Sequence, residues 1–139
     1  MKLSAVRTEA ATKLAAVMGD GWHGYPSAQR ARQAQHPPMV FLRNVRVTHY
    51  YTHGKHLVTA EAVFVASEHD TVDVDEALDS VLSTDDATGK AGLLAAITSD
   101  TDLWDGEVAS NNGQLLDELI LGQNSYRAAV MGVEFICPA

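Results

Sequence analysis

Apolar residues first recur along the chain at three- and four-residue steps: Leu3, Val6, Ala10, Leu14 and Val17. That spacing gathers them on one stripe of an α-helix. The many alanines of this stretch favour the helix, and Gly19 and Gly21 end it. From residue 20 to about 38 the periodicity disappears. This stretch holds Trp22, Gly24, Tyr25, Pro26 and the pair Pro37-Pro38, and its portion 27–35 is polar and basic. It reads as a long loop, with 27–35 either mobile or forming a short helical turn. The residue before each proline is pushed toward extended backbone, so a strand is expected to begin near Met39. Alternation follows, with Val45, Val47, His49 and Tyr51 on one face and Arg46, Thr48, Tyr50 and Thr52 on the other. His53-Gly54-Lys55-His56 reads as the turn of an extended hairpin, and 57–66 as its returning strand.

A second helix is signalled by Asp73 as a cap, with Glu76 three residues on completing a capping box. Val74, Ala77, Leu78, Val81 and Leu82 form its buried stripe. A polar linker over 83–89 leads to a shorter helical patch with Leu93, Leu94 and Ile97. Asp105-Gly106 marks a turn, and Asn112-Gly113 a tight one. Residues 115–121 suit a strand or a helix equally, whereas 126–137 reads as a final strand ending at Pro138. The order of helix, hairpin, helices and strands predicts an α+β fold. Its antiparallel or mixed sheet is packed by two to three helices and carries an extended hairpin and a long loop.

With 139 residues the chain fits one domain spanning 1–139. A fold of this size buries roughly 68% of the surface its unfolded chain exposes, enough for a core without metals or cross-links. The single cysteine, Cys137, has no partner for an internal disulfide. The opening residues, with Lys2, Arg7, Glu9 and Lys13, lack the unbroken apolar stretch of a secretory signal. No run approaches the roughly 20 apolar residues of a membrane span. These features predict a chain made and folded in a cytoplasm, with no membrane partner.

Charge adds an asymmetry. Through Lys55 there are eight basic residues against two acidic ones, a balance of +6; from His56 onward two basic residues face sixteen acids, a balance of -14. Opposite charge on separate parts of one surface suits head-to-tail packing of identical subunits. A mixed, merely solvated surface would account for the same composition.

Candidate chemistry is sparse. His49, His53 and His56 lie within eight residues, and imidazoles so placed suit zinc or nickel. Their spacing matches no standard zinc pattern, so exposed hairpin histidines explain them better. Cys137 reads as a small apolar filler. Ser67, Glu68, His69 and Asp70 are the residue types of a triad, but sequence neighbours seldom meet in that geometry. The segment 87–92 holds Lys90 without the spaced glycines of a phosphate loop. Asp70, Asp73, Asp75, Glu76 and Asp79 have the spacing of a helix start and its solvated face. Arg30, Arg32, Arg43 and Arg46 suit phosphate contacts, and Trp22, Tyr25, Tyr50 and Tyr51 suit base stacking. The net charge of -8 opposes the basic footprint of a nucleic-acid-binding domain. An acidic surface instead suits a passage through which DNA slides.

Several segments together carry a resemblance. They are the opening VRTEAATKL helix, the loop from Trp22 to Pro-Pro before MVFLR, and the hairpin over 46–66. The VDEALDSVL helix, LLAAI before LWDGEV, and the closing YRAAVMGVEFI complete the set. In order and character they resemble the tail terminator proteins of long-tailed, siphovirus-type bacteriophages. Head–tail connectors, neck adaptors and tail completion proteins have similar sizes and element orders. The resemblance implies a non-enzymatic virion protein without cofactor. It forms a hexameric ring at the head-proximal end of the tail tube, stops tube growth and joins tail to neck. Its partners would be further copies of itself, the tail tube protein and neck or connector proteins, with DNA passing through the ring. Under that reading the contacts between subunits fall on Arg30, Arg32, Arg43, Arg46, His53 and Lys55 from the basic half. Asp73, Asp75 and Asp79 would answer them on the next copy, and charge reversal at Arg43 or Arg46 weakens the oligomer. A small metal-dependent or hydrolytic enzyme and a DNA-binding accessory domain are the alternatives of other classes.

Overall fold

The computed structural model describes residues 1–66, 72–84, 89–98, 101–105, 108–110 and 112–138, with only the backbone of Val72, Asp73 and Lys90. Helix α1 (Leu3–Met18) buries Val6, Ala10 and Leu14, the expected stripe, and adds Ala11 and Ala15. It stops at Gly19, whose φ of +118° is a conformation L-residues rarely adopt. The stretch expected to be a long loop is more structured than its sequence suggests. It holds a short strand β1 (His23–Tyr25) and a helix α2 (Ala28–Ala34), so the short-turn reading of 27–35 is the correct one. Ser27 caps α2, its Oγ accepting from the Arg30 N–H at 3.2 Å.

Strands β2 (Met39–Thr52) and β3 (Lys55–Val65) form the predicted hairpin. The turn is tighter than expected: only His53 and Gly54 lie in it, and Lys55 and His56 already belong to β3. The pairing of β2 with β3 is irregular at two places: one precedes the predicted alternation, which holds from Val45 to Thr48, and the other interrupts it. Asn44 and Tyr50 have φ of +52° and +54°, and the pairing with β3 shifts between Arg43 and Arg46 and again between Thr48 and Thr52. The first shift inserts one extra residue and reverses the facing beyond it, so Val40 and Leu42 share a core with Val45 and Val47. Toward the hairpin end His49 and Tyr51 stand exposed.

Helix α3 (Val72–Leu82) buries Val74, Leu78 and Val81, as its stripe predicts. It begins one residue ahead of the expected cap Asp73, whose side chain lies outside the described residues. Helix α4 (Lys90–Thr98) buries Leu93 and Ile97. The anticipated turn at Asp105-Gly106 falls partly outside the described residues. Asn112-Gly113 is not a turn: Gly113 opens strand β4 (Gly113–Leu121), and the Asn112 carbonyl accepts from the Gly132 N–H at 3.1 Å. The tight turn is Gly122-Gln123, leading into β5 (Asn124–Pro138).

The five described strands form one mixed sheet in the order β1-β2-β3-β5-β4, antiparallel except for the parallel pair β1–β2. The fold is α+β, as predicted, and the described residues include four helices where two to three were expected. Alternate residues of the central strands feed two cores. Under α1, α3 and α4 lie Leu42, Val58, Phe64, Met131 and Phe135. On the other face, around Ala31 of α2, lie Met39, Phe41, Val63, Tyr126 and Val130. Trp104 closes the larger core; its indole N–H donates to the Ile97 carbonyl at 2.8 Å and its ring sits 5.0 Å from that of Phe135.

Candidate assembly interface

The nine positions expected to meet neighbouring subunits are scattered by the fold, and among the described side chains Arg43, Lys55 and Asp75 find partners within their own chain. Arg43 pairs with Glu61 across the hairpin, Nε to Oε1 at 3.1 Å, and Asn44 donates to the same carboxylate oxygen. Lys55 reaches Asp105 at 3.0 Å. Asp75 on α3 pairs with Arg127 on β5. Arg43 thus has an acid on the adjacent strand of its own chain. Arg30 and Arg32 on α2, Arg46 on β2, His53 at the turn and Asp79 on α3 are exposed, and Asp73's side chain lies outside the described residues.

The basic helix and the acidic helix nonetheless lie apart. Helix α2, with Arg30 and Arg32, packs on the smaller core. Helix α3, with exposed Asp75, Glu76 and Asp79, packs on the larger one. The two helices therefore occupy opposite faces of the sheet. Elsewhere on the surface a depression of about 470 Å³ opens, and its polar lining is Asn44, Arg46, Thr59, Glu61, Asn112 and Glu134.

The hairpin end exposes two aromatic side chains. Tyr50 is 78% exposed and Tyr51 56%. The bulge at Tyr50 is held from behind: its N–H donates to Nδ1 of His56 at 3.1 Å, and the His49 ring meets His56 edge-on at 5.3 Å. His56 is buried rather than an exposed hairpin histidine, because β3 turns it inward immediately after Lys55. Its Nδ1 lone pair is occupied by that backbone donor. Among the described residues no three His, Cys, Asp or Glu side chains converge as a metal site. Ser67, Glu68, His69 and Asp70 lie outside the described residues.

The aromatic residues considered for base stacking are dispersed. Trp22 packs against the larger core and Tyr25 against the smaller, while Tyr50 and Tyr51 stand at the hairpin end. Cys137 is buried near the end of β5. Burial pushes its thiol up to about 11, with a smaller opposing pull from the N-terminal ammonium and a further push from Asp105. It is a protonated filler at neutral pH, as its position in the sequence suggested.

One organising residue has no signal in the sequence. Gln35 ends α2 in a left-handed conformation, and its side chain satisfies every one of its polar valences. Nε2 donates to the carbonyls of Arg32 and Leu121, both at 2.9 Å. Oε1 accepts from Asn124 at 3.0 Å and from the buried Tyr126 hydroxyl at 2.5 Å. Gln35 thereby ties α2, and the arginines it carries, to the β4–β5 turn. Replacing Gln35 with leucine leaves the Leu121 carbonyl and the Tyr126 hydroxyl without these partners. The expected loss is roughly 1–2 kcal/mol, read by urea denaturation; an unchanged midpoint contradicts the clamp.

Scans against protein-family models and against curated proteins find no match for this chain. No described helix is long and apolar enough to cross a membrane.

Proposed function

We propose that this chain is a structural, non-enzymatic virion subunit that assembles as a ring at the head-proximal end of a phage tail. The ring ends tube growth, joins tail to neck and lets DNA pass. The observation that carries the reading is the exposed aromatic end of the β2–β3 hairpin. Exposed tyrosine rings suit a surface that a partner covers, since tyrosine is enriched in contacts between proteins. The opposed charges of α2 and α3 support it, since a basic face on one copy and an acidic face on the next favour ordered encounter. The order of sequence segments shared in character with tail terminators supplies the place in the particle.

The test is localisation. A short epitope placed after Pro138 and detected by electron microscopy of labelled particles is expected to mark one position, where tail meets head. Label elsewhere on the particle, or particles that form without the chain, overturns the proposal.

A further inference from the structure

The sheet has two open edges of different chemistry. At one end β4 has no strand on its outer side among the described residues. It is nine residues long, carries Asp117 and Glu118 and no basic residue, and exposes Leu115 and Ile120, the latter by 65%. At the other end β1 covers β2 only over Met39, Val40 and Phe41. The rest of β2, through Thr52, has no strand on its outer side among the described residues. That length carries Arg46 and no acid, Arg43 being held by Glu61 of β3, and it ends in exposed Tyr50 and Tyr51. One edge is acidic and aliphatic; the other is basic and aromatic.

We infer that the β4 edge of one copy docks on the outer edge of the Asn44 to Thr52 length of β2 in the next copy, extending the sheet from subunit to subunit. The inference rests on the assembly reading above and assigns its contact. Unpaired edges carry a row of backbone donors and acceptors ready for another strand. The charges select which strand. Two β4 edges placed together would set Asp117 and Glu118 against their own copies, and like charges opposite one another in a sheet are destabilising. The pairing breaks register between Leu116 and Leu119, so the two acids sit at a bulge, where they bar that symmetric arrangement. The basic edge of β2 accepts them instead. Such a contact uses different surfaces on the two copies, which produces a ring where the rotation closes. Bulges on both edges bend and twist their strands.

The test is the mass of the purified chain by sedimentation, at rising concentration and low salt. The unaltered chain is expected to form a multi-subunit particle that dissociates as salt rises. Asp117→Lys with Glu118→Lys, or Arg46→Glu alone, should each weaken assembly by roughly three- to tenfold, given the modest worth of exposed charge pairs. All three changes on one chain should restore it, which also shows that the altered chains fold. Assembly that neither reversal weakens overturns the edge contact and leaves the ring reading standing. A particle of only two chains overturns it in favour of a symmetric pair. A chain that stays single at every concentration to its solubility limit overturns the edge contact and the assembly reading together.

Discussion

Phe135→Ala is expected to cost about 3–5 kcal/mol of folding stability, the usual range for emptying a fully buried aromatic site. Phe135 has no exposed surface. It sits on β5 opposite Val58 of β3, beneath the helices, with Trp104 stacked at a tilt above it. Its removal leaves a void beneath the helices, where the strand pairing of β5 with β3 resists collapse. Natural domains are stable by only about 5–15 kcal/mol, so this one change takes a large share. Chemical denaturation followed by tryptophan fluorescence reads it directly. A loss under about 1 kcal/mol, far below that range, contradicts the packing described for the larger core.

Gly24→Ala is expected to cost roughly 3 kcal/mol, the upper end for overpacking. A Cβ at this position would lie 2.5 Å from the Ala11 carbonyl oxygen and 2.7 Å from its carbon. Both obstructing atoms belong to the backbone of α1, so no side chain can swing aside. Either β1 leaves the edge of β2 or α1 lifts from the sheet. The alanines of the buried α1 face and Gly24 thus form one close contact between helix and strand. Thermal unfolding measures the loss, and a variant as stable as its parent contradicts so close an approach.

Much of this architecture is legible in the sequence, and the places where it is not share a cause. The stripes of α1 and α3 and the long final strand follow regular periods, and those periods survive folding. Bulges defeat the rest. In β4, Leu116 and Leu119 pack toward one core although they stand three residues apart, because the register slips between them. That spacing imitates a helix and explains why 115–121 suits either element. In β2, the bulge at Tyr50 interrupts a pattern that looks like clean alternation. Asn112-Gly113 has the local chemistry of a tight turn, but pairing with Met131 draws Gly113 into an edge strand. The strand β1 is only three residues long, too short for any period, and depends on the close contact at Gly24. The expected interface residues rest on charge alone, and charge does not reveal partners across a fold. Arg43 finds Glu61 through hairpin register, and Asp75 finds Arg127 through the packing of α3 on β5. The segregation of basic α2 from acidic α3 is foreshadowed by the split of charge along the chain.

Native mass spectrometry of the purified protein asks whether copies of this chain assemble as proposed. A closed particle at six times the chain mass of 14.9 kDa is the predicted result. A species of one chain mass at every concentration, or one that turns over a substrate and loses that activity when a histidine is replaced, would contradict it.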